Sequence, residues 1–273
     1  MSLSAPIYII ILILFLSLGI ITYCYSISLS KSSIPLSNKS GLYVILPDDH
    51  LIFNSRDRLT YNPIKLMYQK TIQKYTDNYQ NNLSNFTENL FNSDMLERCD
   101  DNTSVEYDQF CGFNPDSDLL NDYKLNGYYL NTMTPIILLS FRNLPNFIPQ
   151  VYENISDLPM SNDHDVVALR EHMQDIYDKN NNKLPQCVWV SCTQIYPDRP
   201  SNNILEGFPK YYFPSKEHIT AYLPPLLPLR IKLSRGLNYI KCKMWAKNIN
   251  HSTDTFAFVT FSINYKTDYE IIS

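Results

Sequence analysis

The sequence predicts a chain dominated by β-structure, an immunoglobulin-like antiparallel β-sandwich with one packed α-helix, placed behind a single N-terminal transmembrane helix. Three observations lead there. The first 30 residues carry no charged side chain. A stripe of Ile and Tyr at three- and four-residue spacing follows Asn62-Pro63. Beyond Cys111 the chain becomes a series of short apolar runs, several of them alternating with a period of two and bounded by prolines.

The apolar stretch Ile7 to Leu29 exceeds the roughly 20 residues that a helix needs to cross the hydrocarbon layer. Tyr8 at one end, and Tyr23 with Tyr25 at the other, stand where interfacial aromatic belts form. Ser26-Ile27-Ser28 offers a signal-peptidase site as an alternative. Against cleavage, no Lys or Arg precedes the run, and it is longer than the usual apolar core of about 7–15 residues. Lys31 and Lys39 follow the span, and the positive-inside rule alone would keep the C-terminal part in the cytoplasm. Six N-x-S/T acceptors (Asn38, Asn82, Asn85, Asn102, Asn154 and Asn250) and pairable cysteines on the same side oppose that. The expected organisation is a cytoplasmic tail at 1–6, a span at 7–29, an extracellular stalk at 30–60 and an extracellular sandwich at 61–273. That organisation would make it a single-pass type II protein of the plasma membrane.

Charge and composition exclude several functions. With 23 basic against 27 acidic residues and no basic stripe, nothing favours a nucleic acid. The 6 glycines are too scattered to cradle a phosphate. No nucleophile or metalloprotease motif occurs, so neither a small-molecule substrate nor a cofactor is expected. Asp48-Asp49-His50 and Asp163-His164-Asp165 set carboxylates beside a histidine, but in polar stretches that read as solvated. The histidines are dispersed and no C-x-x-C pair exists, which argues against zinc.

Residues 30 to about 60 show no periodicity and read as the stalk. Asn62-Pro63 marks a helix start, an Asn cap followed by a proline whose missing N–H is harmless in the first turn. Ile64, Tyr68, Ile72, Tyr75 and Tyr79 then draw one apolar stripe on about 18 residues ending near Gln80, with the sequons at Asn82 and Asn85 in a following loop. Strands are expected at Pro135 to Leu144, Cys187 to Tyr196, Leu226 to Leu233, Ile240 to Lys247 and Phe256 to Tyr265. Along Ile240 to Lys247 one face is Ile, Cys, Met and Ala, and the other holds Trp245 with three lysines, so one side of the sheet is expected to be wet. The Asn-rich stretch from Asp157 to Lys183 reads as a long insertion with helical turns around Val166 to Tyr177. The 21 tyrosines suit sheets and half-wet surfaces.

Parity selects one cysteine pair. Val188, Val190 and Cys192 share a strand face, and Cys242 lies on the apolar face of its own strand, so the two are candidates for a disulfide tying the sheets together. Cys99 and Cys111, flanking an acidic loop, form the natural second pair. Cys24 and Cys187 are left as thiols, with palmitoylation of Cys24 or a Cys187–Cys192 pairing as alternatives.

The order of parts, from about Asp57 to the C-terminus, resembles the beta subunits of Na+/K+- and H+/K+-transporting P-type ATPases. Local stretches carry the likeness: Asp57 to Tyr79 with Tyr61, Ile72 and Tyr75; Gly127 to Phe147; Gly207-Phe208-Pro209 to Pro214; and Tyr222-Leu223-Pro224-Pro225-Leu226-Leu227. Val190 to Cys192 and Lys241 to Trp245 fall where the family's last disulfide lies. The sequence departs from the family at the middle disulfide, where Asn121 or Asp122 and Thr134 stand instead, and in lacking its cytoplasmic Trp motif and a Tyr/Phe-rich face on the span. The resemblance implies a non-catalytic subunit that binds a catalytic alpha subunit, helps it fold and reach the surface, and modulates K+ occlusion. Tyr8, Tyr23 and Tyr25 in the span, and Tyr211, Tyr212, Leu226 and Leu227 outside it, are the candidate contacts. The rival expectations are a beta-like adhesion glycoprotein with no pump partner and a secreted sandwich protein beginning near Leu29.

Overall fold

The computed structural model describes residues 41–46, 50–54, 57–88, 95–96, 99–103, 105, 109–115, 135–142, 144, 147–196, 202–213 and 222–266. The expected tail, span and most of the stalk lie outside these, as do Tyr8, Tyr23, Tyr25, Cys24 and Asn38. Among the described residues no helix is long and apolar enough to cross a membrane.

The chain is built on two main sheets. Strands β1 (Gly41–Ile45), β5 (Ile136–Arg142) and β8 (Leu227–Arg230) form a three-stranded sheet in the order β1-β5-β8. Strands β2 (His50–Phe53), β6 (Cys187–Tyr196), β7 (Asn202–Pro209), β9 (Gly236–Trp245) and β10 (Phe258–Tyr265) form a five-stranded sheet in the order β2-β10-β9-β6-β7. A two-stranded ribbon joins β3 (Met95–Leu96) to β4 (Phe110–Cys111). Each main sheet turns an apolar face to the core, where Ile137, Leu139, Leu229, Val190, Cys242 and Ile263 are fully buried. The layers fit a β-sandwich. They depart from an all-antiparallel one, because β2 runs parallel to β10.

Part of the expected stalk is sheet. Gly41 to Ile45 pair antiparallel with Arg142 to Leu138, and His50 to Phe53 pair with Ser262 to Tyr265. Both strands are short and find partners more than ninety residues away, so no hairpin signal marks them. β7 was also not expected from the sequence. It contains a bulge: Val188 faces Phe208, yet Val190 already faces Leu205. Gly207 makes the bulge possible. Its φ is +81°, and a Cβ there would lie 1.8 Å from the Val188 carbonyl oxygen.

Among the described residues there are two α-helices, where one packed helix was expected. Helix α1 (Arg58–Glu88) starts a turn before Asn62-Pro63, because Asp57 Oδ1 accepts from Leu59 N at 2.9 Å and Thr60 Oγ1 bridges back to the Asn54 carbonyl at 3.0 Å. Pro63, its sixth residue, removes only one donor close to the start. The helix also runs past Gln80, so Asn82 and Asn85 lie in its last turns and not in a loop. Its buried stripe is Ile64, Met67, Tyr68, Thr71 and Tyr75, with Ile72 and Tyr79 half-buried.

Helix α2 (His164–Lys179) extends the expected helical turns around Val166 to Tyr177 to 16 continuous residues, capped by Asp163, whose carboxylate accepts from Asp165 N. Val166, Leu169 and Met173 recur on one side and are buried with Trp189, Trp245, Cys187 and Tyr152. The outer face at this end of the five-stranded sheet is therefore dry, contrary to the sequence reading. Trp189 and Trp245 stand opposite each other on β6 and β9 beneath α2, and Trp245 Nε1 donates to Ser191 Oγ at 2.7 Å. At the other end, buried Asn238 pins the turn into β9: its Oδ1 accepts from Gln194 Nε2 at 2.7 Å and its Nδ2 donates to the Gly236 carbonyl at 2.8 Å.

Candidate functional site: an aromatic face braced by disulfides

The segment after the bulge is shaped locally by its sequence. Pro209 ends β7, and Lys210 to Tyr212 form a single 3-10 turn closed by Phe213 N donating to the Lys210 carbonyl at 3.0 Å. Lys210 N in turn donates to the Gln186 carbonyl at 2.8 Å, which anchors the turn to the start of β6. Tyr211 stays half-buried on the surface, with its ring centroid 4.7 Å from that of Tyr212.

Beneath Tyr211 lies a chain of rings. Tyr212 meets Phe113 edge-on at 5.8 Å, and Phe113 meets Tyr75 of α1 edge-on at the same 5.8 Å. Phe213 stacks on Phe141 of β5 at 4.3 Å, and Phe141 meets Phe208 edge-on at 5.0 Å. Alternating edge and face contacts satisfy the ring quadrupoles and join α1, β5, β7 and the cysteine loop.

Buried phenol groups find backbone carbonyls. Tyr75 Oη donates to the Pro224 carbonyl at 2.7 Å, Tyr68 Oη to Ile136 at 3.2 Å, and Tyr222 Oη to Tyr212. Burial pushes the pKa of Tyr68, Tyr75 and Tyr222 well above the ordinary tyrosine value, so all three remain neutral donors. Proline lacks the backbone N–H that a continuous ladder needs, and Pro224 and Pro225 give their carbonyls to Tyr75 Oη and to Ser140 Oγ, the latter at 2.9 Å.

Two disulfides brace the domain. Cys99–Cys111 closes a separation of 12 residues and carries Phe110 and Phe113 into the ring cluster, where Phe110 meets Tyr222 edge-on at 5.8 Å. Cys192–Cys242 ties directly opposed residues of β6 and β9 across a separation of 50, so it joins neighbouring strands of one sheet and not, as expected, the two sheets. Cys187 lies outside both, buried beneath α2.

Of the candidate contacts within the described residues, Tyr212 is 8% and Leu226 is 4% exposed, so the domain's own core uses them. Tyr211 and Leu227 are half-buried and offer surface. No local pattern marks Phe110 and Phe113 as part of this face, since about a hundred residues separate them from Tyr212. The sequon asparagines Asn102, Asn154 and Asn250 are exposed. Asn250 Oδ1 accepts from Ser252 Oγ at 2.8 Å.

The acid–histidine pairs have other employment. Asp163 caps α2, Asp165 binds Thr193 and Lys243, and His50 Nδ1 lies 2.6 Å from Ser262 Oγ. Asp48 and Asp49 lie outside the described residues. Among those described, no group of three His, Cys, Asp or Glu side chains is placed to hold a metal.

The fold is that of a β-rich domain braced by two disulfides and by a cluster of packed aromatic rings. The chain belongs to the sodium / potassium ATPase beta chain family, whose model matches residues 7–261. It is 30% identical over 152 residues to the sodium/potassium-transporting ATPase subunit beta-1 of Drosophila melanogaster. That alignment takes in 51% of this chain and 45% of the fly protein, so the match spans less than half the relative's length.

Proposed function

We propose that the chain is the non-catalytic beta subunit of a sodium/potassium-transporting P-type ATPase, required for the folding and membrane delivery of a catalytic alpha subunit and modulating its cation transport. The observation that carries this reading is the family match, which begins in the apolar N-terminal segment and continues through the disulfide-linked domain. The chain would lie in the plasma membrane with residues 7–29 as its span and the domain outside, where the two disulfides are chemically stable. Tyr8, Tyr23 and Tyr25 would meet the alpha subunit within the bilayer, and half-buried Tyr211 with Leu227 outside it. The exposed sequons at Asn102, Asn154 and Asn250 are candidate glycan sites on that side.

The test is an affinity pull-down from native membrane with identification by mass spectrometry. A P-type ATPase catalytic chain should co-purify in near-stoichiometric amount, and Tyr211→Ala with Leu227→Ala should reduce its recovery while leaving both disulfides formed. Recovery of the chain with no ATPase would overturn the reading.

A further inference from the structure

The turn from β9 to β10 is built in two halves. The first, Ala246 to Ile249, is clamped to the segment before α2. Lys247 N donates to the Gln150 carbonyl at 2.7 Å, and the Asn248 amide bonds the Ile148 carbonyl and Gln150 N, each at 2.9 Å. Lys247 Nζ also meets Asp157 at 2.8 Å, and their mutual hydrogen bond holds the carboxyl pKa below and the ammonium pKa above the ordinary values. This half therefore keeps its charges through mild acid.

The second half, Asn250 to Ala257, is seated by a histidine. His251 is half-buried, with its ring centroid 4.3 Å from that of Trp245 and its Nε2 2.8 Å from the Met244 carbonyl oxygen. A carbonyl oxygen only accepts, so Nε2 carries the proton and Nδ1 is bare in the neutral ring. The charged groups around it are already engaged. From β9, the Lys243 ammonium stands 5.6 Å from the Trp245 ring centroid, a like charge for an imidazolium. From α2, Asp165 is held by Lys243 and Thr193. Within the turn, Asp254 accepts from Asn250 N at 2.8 Å and from Thr253 Oγ1 at 3.1 Å. Burial holds the His251 pKa below its ordinary 6.5, and Lys243 pushes the same way. The bond to Met244 and the two carboxylates oppose this without overcoming it.

The same half of the turn supports the start of β1. The Phe256 ring lies 5.3 Å from that of Phe147, and a Cβ on Gly41 would lie 2.2 Å from the Phe256 carbonyl oxygen. We propose that residues 250–257 form an acid-released latch. Protonation of His251 expels the charged ring from its seat between the Met244 carbonyl and the Trp245 indole, frees the second half of the turn and loosens the support of Gly41, while the first half stays clamped. The domain thereby responds to acidification of the compartment it faces. This inference concerns the domain alone and stands whether or not the chain meets an ATPase.

The released ring, with its ordinary pKa, takes a proton that the seated ring refuses. The opening constant should therefore rise by up to about tenfold between about pH 7.5 and about pH 5.5. The test is amide hydrogen exchange, read by mass spectrometry on the full chain in its membrane at those two pH values and expressed as protection factors. The Thr253, Asp254 and Ala257 amides, which donate within the turn, should lose up to about tenfold in protection in acid, while the Lys247 and Ile249 amides keep theirs. His251→Gln, whose amide can still donate to the Met244 carbonyl and which preserves the Asn250 sequon, should abolish the response. Exchange of the imidazole C2 hydrogen reads the His251 titration in the unaltered protein, and its midpoint should lie below 6.5. Equal protection at both pH values, or a loss spread evenly over the domain, would overturn the latch. So would a response that persists in His251→Gln protein with its Cys192–Cys242 linkage intact, or a His251 midpoint at or above the ordinary value.

Discussion

Lys243 on β9 and Asp165 in the first turn of α2 form an ion pair whose side chains are only 18% and 9% exposed, and Asp165 also accepts from Thr193 Oγ1 at 2.7 Å. One carboxylate thus fastens the start of the helix to two neighbouring strands. Burial by itself would raise the Asp165 pKa, but the hydrogen bonds from Lys243 and Thr193 and the lysine's charge outweigh it and hold the carboxyl below its ordinary value.

Asp165→Asn should lower stability by about 1–2 kcal/mol near neutral pH, less than a fully buried pair because solvent still reaches the lysine. The sign of the pH dependence follows from the depressed pKa. The stabilisation is complete above the unfolded carboxyl pKa, near 4, and is lost as pH falls through the lower folded value. Denaturant unfolding of both proteins across acidic pH checks this: the gap between them should close as the solution is acidified.

Gly207 and Gly236 both have positive φ, +81° and +86°, but a Cβ at Gly207 would strike the Val188 carbonyl whereas one at Gly236 meets nothing within 4 Å. Gly207→Ala should therefore cost about 2–3 kcal/mol and Gly236→Ala about 1 kcal/mol, the conformational penalty alone. The two unfolding midpoints, measured side by side, decide it, and equal losses would refute the steric argument.

Removing Cys192–Cys242 by paired Ser substitutions should cost about 4 kcal/mol in the chain-entropy account, and removing Cys99–Cys111 about 3 kcal/mol, because the first closes the longer loop. Thermal unfolding of the two variants should rank them in that order. The smaller bridge has the larger local effect, since Phe110 and Phe113 lose their anchorage to Tyr222 and Tyr75.

Tyr68, Tyr75 and Tyr222 are held neutral by burial, and Tyr152 is pushed up to about 12 by burial and by the nearby Asp157 carboxylate. Above pH ~10 the unfolded chain releases protons that the folded chain keeps, so stability should fall steadily as pH rises from there. Phenolate absorbance in the ultraviolet should show these tyrosines ionising only together with unfolding. Tyr75→Phe should weaken the packing of α1 by about 1 kcal/mol, the value of its bond to the Pro224 carbonyl.

Local pattern was enough to locate Cys187–Tyr196 as a strand to the residue, to place strands near Ile240 and Phe258, and to select Cys192 and Cys242 by parity. Period-two alternation and side-chain direction are properties of the backbone, and they survive whatever the strand packs against. The sequence also placed an apolar stripe on the helix near Tyr68 and Tyr75. Tertiary structure decided the rest. β1 and β2 have no hairpin partner, so their pairing with Arg142 to Leu138 and with β10 is written in contacts between residues more than ninety positions apart. The outer face carrying Trp245 among lysines reads as wet in one dimension, yet α2 dries it by seating Leu169 and Met173 over Trp189 and drawing Lys243 to Asp165. Burial of a strand's second face depends on which distant helix reaches it, and a strand's own sequence does not contain that information.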